Sequence, residues 1–130
     1  MFVLSSFVFQ PSSVFFTNEL RLLQVTTPAT AEEPIFRDKL SLYGIETILP
    51  DEVERNYIHA TIFSELTKAI FIKETKDKYL QIIDRLIREG AEGIIYACTE
   101  IPILLQEQKL KAKTFDTTLV HAKGAVDFAI

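Results

Sequence analysis

Apolar positions change their spacing from segment to segment along the chain, and each change marks an element. Leu20-Arg21-Leu22-Leu23-Gln24-Val25 is a short apolar run that predicts a first strand. The polar turn Thr26-Thr27-Pro28-Ala29-Thr30 follows. Thr30 is placed to cap a helix through Ala31-Glu32-Glu33 to Leu42, with Gly44 just past its end. Ile45 to Leu49 predicts a second strand, closed by Pro50. Asp51 then caps a long helix whose first turn carries Glu52 and Glu54, where carboxylates suit the positive end of the helix dipole. Ile58, Ile62, Leu66 and Ile70 recur every four residues and predict one buried stripe.

A further helix is predicted from about Thr75 to Glu89, with Tyr79, Leu80, Ile83, Leu86 and Ile87 on one face and Gly90 as its stop. Ile94 to Ala97 is apolar without alternation, the pattern of a central strand in a parallel sheet. It turns at once, through Cys98-Thr99-Glu100, into a helix reaching about Lys109. Thr99 suits the N-cap, and Pro102 is tolerated in the first turn. Ala112 to Asp116 predicts a last strand, and Thr117 opens a terminal helix through His121 to Phe128. Gly124 weakens that helix by about 1 kcal/mol relative to alanine. The order β-α-β-α-α-β-α-β-α predicts an α/β fold, a parallel four-stranded sheet with helices on both faces.

Composition narrows the class. The 130 residues are one ordinary domain in size, 48% hydrophobic and 25% charged, a globular balance. A net charge of −4, with no basic cluster among aromatics, argues against nucleic acid as a partner. One cysteine excludes an internal disulfide framework and suits a reducing cytoplasm, and no stretch is apolar enough to predict a membrane span. The opening residues, MFVLSSFVFQPSSVFF, carry no charge before Glu19 and are broken by Pro11, which does not fit a secretory signal. Residues 1–18 therefore stand apart as an atypical N-terminal segment from the α/β domain expected over 19–130.

The candidate chemistry lies where the predicted strands end. The only cysteine, Cys98, falls at the carboxyl end of a strand and the amino end of a helix, the edge at which open α/β sheets build their sites. A helix N-terminus there is expected to favour the reactive thiolate. The other strand ends carry Thr27 and Thr30, Pro50, and Asp116 with Thr117, Thr118 and His121. Such hydroxyls and free backbone amides suit a small carboxylate, although each threonine also serves as an ordinary helix cap. His121 is either a satisfied structural histidine or a base for a neighbouring thiol. No glycine-rich phosphate loop or metal-spaced cluster is present, so neither a nucleotide nor a metal is expected.

An ordered set of motifs resembles the cofactor-independent aspartate/glutamate racemases. Tyr96-Ala97-Cys98-Thr99-Glu100-Ile101-Pro102-Ile103-Leu104-Leu105 resembles their second cysteine motif, and Asp116-Thr117-Thr118-Leu119-Val120-His121-Ala122 their closing motif. Thr26 to Thr30, then Phe36-Arg37 and Tyr43-Gly44-Ile45, resembles the start of their second domain. Pro50-Asp51-Glu52 and Glu65-Leu66-Thr67-Lys68 follow in order. The resemblance runs from about Leu20 to the C-terminus and is nearer to aspartate racemases, since glutamate racemases usually place histidine where Glu100 stands.

It implies racemisation without pyridoxal phosphate or metal, by two cysteines facing each other across the substrate α-carbon. Cys98 would be the second acid/base, with His121 supporting it. Thr27, Thr30, Thr99, Glu100 and the basic Lys68 would bind a dicarboxylic amino acid, aspartate or glutamate. The departures are Val25-Thr26-Thr27 where the family has Leu-Gly-Thr, Ala97 for the glycine before the cysteine, and Ala31 for a methionine. The family's first cysteine lies in an N-terminal half without counterpart here, so the sequence is read as a truncated second half. Two-base racemisation then needs a separate first-cysteine domain, and the uncovered face favours homo-oligomers. The alternatives are an inactive remnant or binding domain, and a one-sided single-cysteine enzyme such as a decarboxylase. Lys68 disfavours the decarboxylase, whose substrates carry bulky apolar groups.

Overall fold

The structure, a computed structural model, describes the backbone of residues 20–25, 34–105 and 109–130, and side-chain surroundings within these ranges from residue 37 onward. The N-terminal segment and the loop holding Thr27, Thr30 and Ala31 lie outside the described residues. In order the elements are β1 (Leu20–Val25), α1 (Pro34–Ser41), β2 (Ile45–Ile48), α2 (Glu52–Ser64), a 3-10 turn (Leu66–Lys68), α3 (Lys73–Arg88), β3 (Gly93–Tyr96), α4 (Glu100–Leu105), β4 (Lys113–Asp116) and α5 (Thr117–Ala129). The chain is thus α/β with a parallel sheet. Its strand order is β2-β1-β3-β4, with β1 pairing β2 on one side and β3 on the other, and β3 pairing β4.

The element ends follow from local chemistry. Asp51 forms a capping box with Glu54: the Glu54 N–H donates to Asp51 Oδ1 at 2.8 Å, and the Asp51 N–H donates to Glu54 Oε2 at 3.2 Å. Helix α3 stops at Gly90, whose φ of 107° no residue with a Cβ adopts cheaply. There the Ala91 N–H reaches the Leu86 carbonyl at 3.0 Å and the Gly90 N–H the Ile87 carbonyl at 3.1 Å, the paired bonds of a Schellman motif.

The core lies between helices α2, α3 and α4 and strand β3. Ile58 and Ile62 of α2, Leu66 of the turn, and Tyr79, Ile82, Ile83 and Leu86 of α3 pack with Ile94, Ile101, Leu104 and Leu105. All four residues of β3 are buried, as its unbroken apolar run predicts. Ile70 departs from the predicted stripe and is 45% exposed. Helix α2 ends at Ser64, and Ala69 takes a left-handed conformation (φ 57°) that reverses the chain before Ile70 can continue the helical face. Ile82, not part of the predicted face of α3, is buried beside Ile83. Among the described residues no helix is long and apolar enough to cross a membrane.

Candidate active site

The strand order sets the position of the site. From β1 the chain moves outward to β2, then returns to place β3 on the opposite side of β1. A crevice opens outside the carboxyl ends of two such strands, at the point where the winding changes direction. Here that point lies between the carboxyl ends of β1 and β3, and β3 leads through Ala97 to Cys98. Thr27 and Thr30 follow β1 in sequence. Cys98 is half-buried and packs against the core cluster, so the thiol is anchored from below.

Cys98 and Glu100 form the central contact. The Cys98 thiol donates to Glu100 Oε2 at 2.9 Å. That bond first, and the neighbouring Thr99 hydroxyl second, hold the Glu100 carboxyl below the usual range. Burial pushes the Cys98 thiol up to about 11, and the adjacent Glu100 carboxylate adds to the rise. The backbone N–H groups of Glu100 and Ile101 pull the other way and lose. This corrects the expectation that the helix terminus would favour the thiolate. Desolvation and a like charge within hydrogen-bond reach outweigh two amide dipoles, so at neutral pH Cys98 is a proton-bearing thiol.

The neighbouring strand end is tied to the same edge. The Thr117 hydroxyl, first in α5, donates to the Tyr96 carbonyl at 2.9 Å, and Asp116 caps α5 by accepting the Thr118 N–H at 2.9 Å. The Thr117 bond holds the last residue of β3 two positions before Cys98. The sequence reads Thr117 as the opening of the terminal helix and as one of the strand-end hydroxyls suited to a carboxylate, not as a tie to β3. Only the register that sets Tyr96 opposite Asp116 shows what its hydroxyl reaches.

The remaining predicted residues are dispersed around this centre. Thr99 is exposed immediately before α4. Lys68 is exposed on the 3-10 turn, which packs against α4. His121 is exposed in the second turn of α5. Thr27 and Thr30 fall outside the described residues. No group of three or more potential metal ligands occurs among the described residues.

Comparison with known proteins identifies the family and the fold. The Asp/Glu/Hydantoin racemase family model matches residues 18–125. A candidate Asp/Glu racemase from Yersinia pestis superimposes with a TM-score of 0.79 at 35% identity, over 84% of this chain and 48% of its own. An aspartate racemase homologue from Pyrococcus horikoshii OT3 shares the fold with a TM-score of 0.76 at 24% identity, over 84% of this chain and 48% of its own. An uncharacterised protein from the pnlA 3′ region of Pectobacterium carotovorum subsp. carotovorum is 29% identical over 91 residues, 70% of this chain and 59% of that protein. The chain thus spans about half the length of the solved relatives. By its sequence match and its fold, the chain belongs to the Asp/Glu/Hydantoin racemase family.

Proposed function

We propose that the chain is the Cys98-bearing half of a cysteine-based amino-acid racemase acting on a dicarboxylic substrate, aspartate or glutamate. The observation that carries this reading is the half-buried Cys98 thiol at the winding switch of a racemase-family sheet, its proton directed at Glu100. Protonated at neutral pH, Cys98 is set to deliver a proton to a carbanion on its face of the α-carbon. When the reaction runs the other way, Cys98 acts as the thiolate, having lost its proton to solvent, and its sulfur takes the substrate's α-proton.

The carbanion needs electrostatic support as it forms, and Thr99 with the Thr27 and Thr30 loop supplies hydroxyls and amides for the α-carboxylate. Lys68 supplies the cation for the side-chain carboxylate, and His121 supports the cysteine edge. Inversion also needs an acid/base group on the opposite face. Cys98 is the one cysteine in these 130 residues, so that group comes from a first-cysteine half. The single thiol also supports a second reading, one-sided proton exchange without inversion.

Chiral chromatography of L-aspartate incubated with the chain, and with a first-cysteine half from a two-domain family member, tests the proposal. D-aspartate should form with the pair and not when Cys98→Ala replaces the wild type. Inversion that survives Cys98→Ala overturns it.

A further inference from the structure

We propose that Thr75 is a positioning residue for Lys68, acting through Glu65, and so sets the preference for a dicarboxylic over a monocarboxylic amino acid. The inference deepens the racemase reading and rests on it. Helices α2 and α3 run antiparallel and are joined by polar links at three levels along their seam. Arg85 pairs with Glu54 at one end, the Thr61 and Tyr79 hydroxyls meet at 2.9 Å in the middle, and the Thr75 hydroxyl donates to Glu65 Oε2 at 2.6 Å at the other end. The first link reinforces the Asp51 capping box. The second satisfies two buried hydroxyls. The third joins the helix pair to the turn that carries Lys68.

Glu65 is the residue on which that turn is built. Its N–H donates to the Thr61 carbonyl at 3.0 Å, and its own carbonyl accepts the Lys68 N–H at 2.9 Å and the Ile70 N–H at 3.1 Å. Between those two donors stands Ala69, the one non-glycine residue with positive φ among the described residues. Such a conformation persists only where the surroundings over-determine it. Two anchors do so here: Leu66, 2% exposed in the core, and Thr75, 1% exposed, which grips the Glu65 carboxylate. The turn packs against α4, the helix that begins two residues after Cys98. The backbone of Lys68 is therefore placed relative to the cysteine motif by a turn whose register Thr75 locks. Lys68 itself is exposed and long, and without that lock its charge is spread over more space.

The test is the affinity of L-aspartate and of L-alanine, measured by NMR titration on the wild-type chain, Lys68→Met, Thr75→Val and Thr75→Ser, each with its melting temperature. The wild type should favour aspartate, and Lys68→Met should abolish the preference. Thr75→Val should weaken aspartate about tenfold, the scale of one lost charge-assisted hydrogen bond, and leave alanine unchanged. Thr75→Ser should restore the preference. A Thr75→Val chain that melts lower yet keeps the wild-type aspartate-to-alanine ratio has lost only architecture, and overturns the proposal. Should Thr75→Val fail to fold, Glu65→Gln keeps the shape and weakens the same bond: a reduced ratio supports the proposal and an unchanged one overturns it. A Lys68→Met chain with the wild-type ratio overturns the role of Lys68 in the racemase reading, and this inference with it. A wild type that binds neither amino acid overturns both.

Discussion

The Cys98 thiol donates its hydrogen bond to Glu100, two residues along the chain, at 2.9 Å. The side chain expected to help bind substrate is thus engaged with the side chain expected to react. The bond joins a thiol that holds its proton to a carboxyl held below its usual range.

Thiol reactivity should follow from that pair. With the native thiol at about 11 against about 8.5 for a free cysteine, the thiolate fraction at pH 8 is roughly two hundredfold lower. Alkylation by iodoacetamide at pH 8 should be correspondingly slow and should climb steeply towards pH 11. Glu100→Gln removes the like charge and should speed alkylation at pH 8 several-fold. An unchanged rate would show that Glu100 does not govern the thiol.

The same shift makes stability depend on pH, with a definite sign. The Cys98 thiol is raised in the folded chain, so between about 8.5 and about 11 the native state binds more protons than the unfolded state. The contribution is full below about pH 8.5 and is lost as pH rises towards 11. Urea titrations at pH 8, 9.5 and 10.5 should show a decline that is shallower in Cys98→Ala.

Thr117→Val should cost about 1 kcal/mol by removing the hydroxyl bonded to the Tyr96 carbonyl. Urea denaturation measures it. Thr117→Ser, which keeps the donor, should recover most of the loss.

Ala69→Gly should stabilise the chain by about 0.5–1 kcal/mol, because glycine adopts the φ of 57° without the Cβ strain. A lower melting temperature for this variant would mean the turn is not strained.

Ile94→Ala should be far more damaging, by about 2–5 kcal/mol, since Ile94 is fully buried in the central strand. Loss of the cooperative thermal transition or a large drop in its midpoint, read by circular dichroism, is the expected outcome.

Much of this architecture was legible in the residues, for identifiable reasons. The unbroken Ile94–Ala97 run, the Asp51 cap and the Gly90 stop are local signals, and each element formed within a residue of its signal. Ile70 misled because period alone cannot foresee that Ala69 would enter a left-handed conformation. The thiol was legible as a position but not as an acid. Its proton affinity depends on burial and on where Glu100 points, which helix-terminus reasoning omits. The Thr117–Tyr96 and Thr75–Glu65 bonds join residues 21 and 10 positions apart and follow only from the strand register and the helix pairing.

The most direct test of the account is the α-proton signal of L-aspartate in D2O, followed by proton NMR with the purified chain beside Cys98→Ala. The account predicts that the signal fades only where Cys98 is present, as the thiol exchanges the α-proton on its own face without inversion until a first-cysteine half is added. No loss above the Cys98→Ala level, from a chain shown by circular dichroism to be folded, would contradict the assignment of Cys98 as the proton-transfer group.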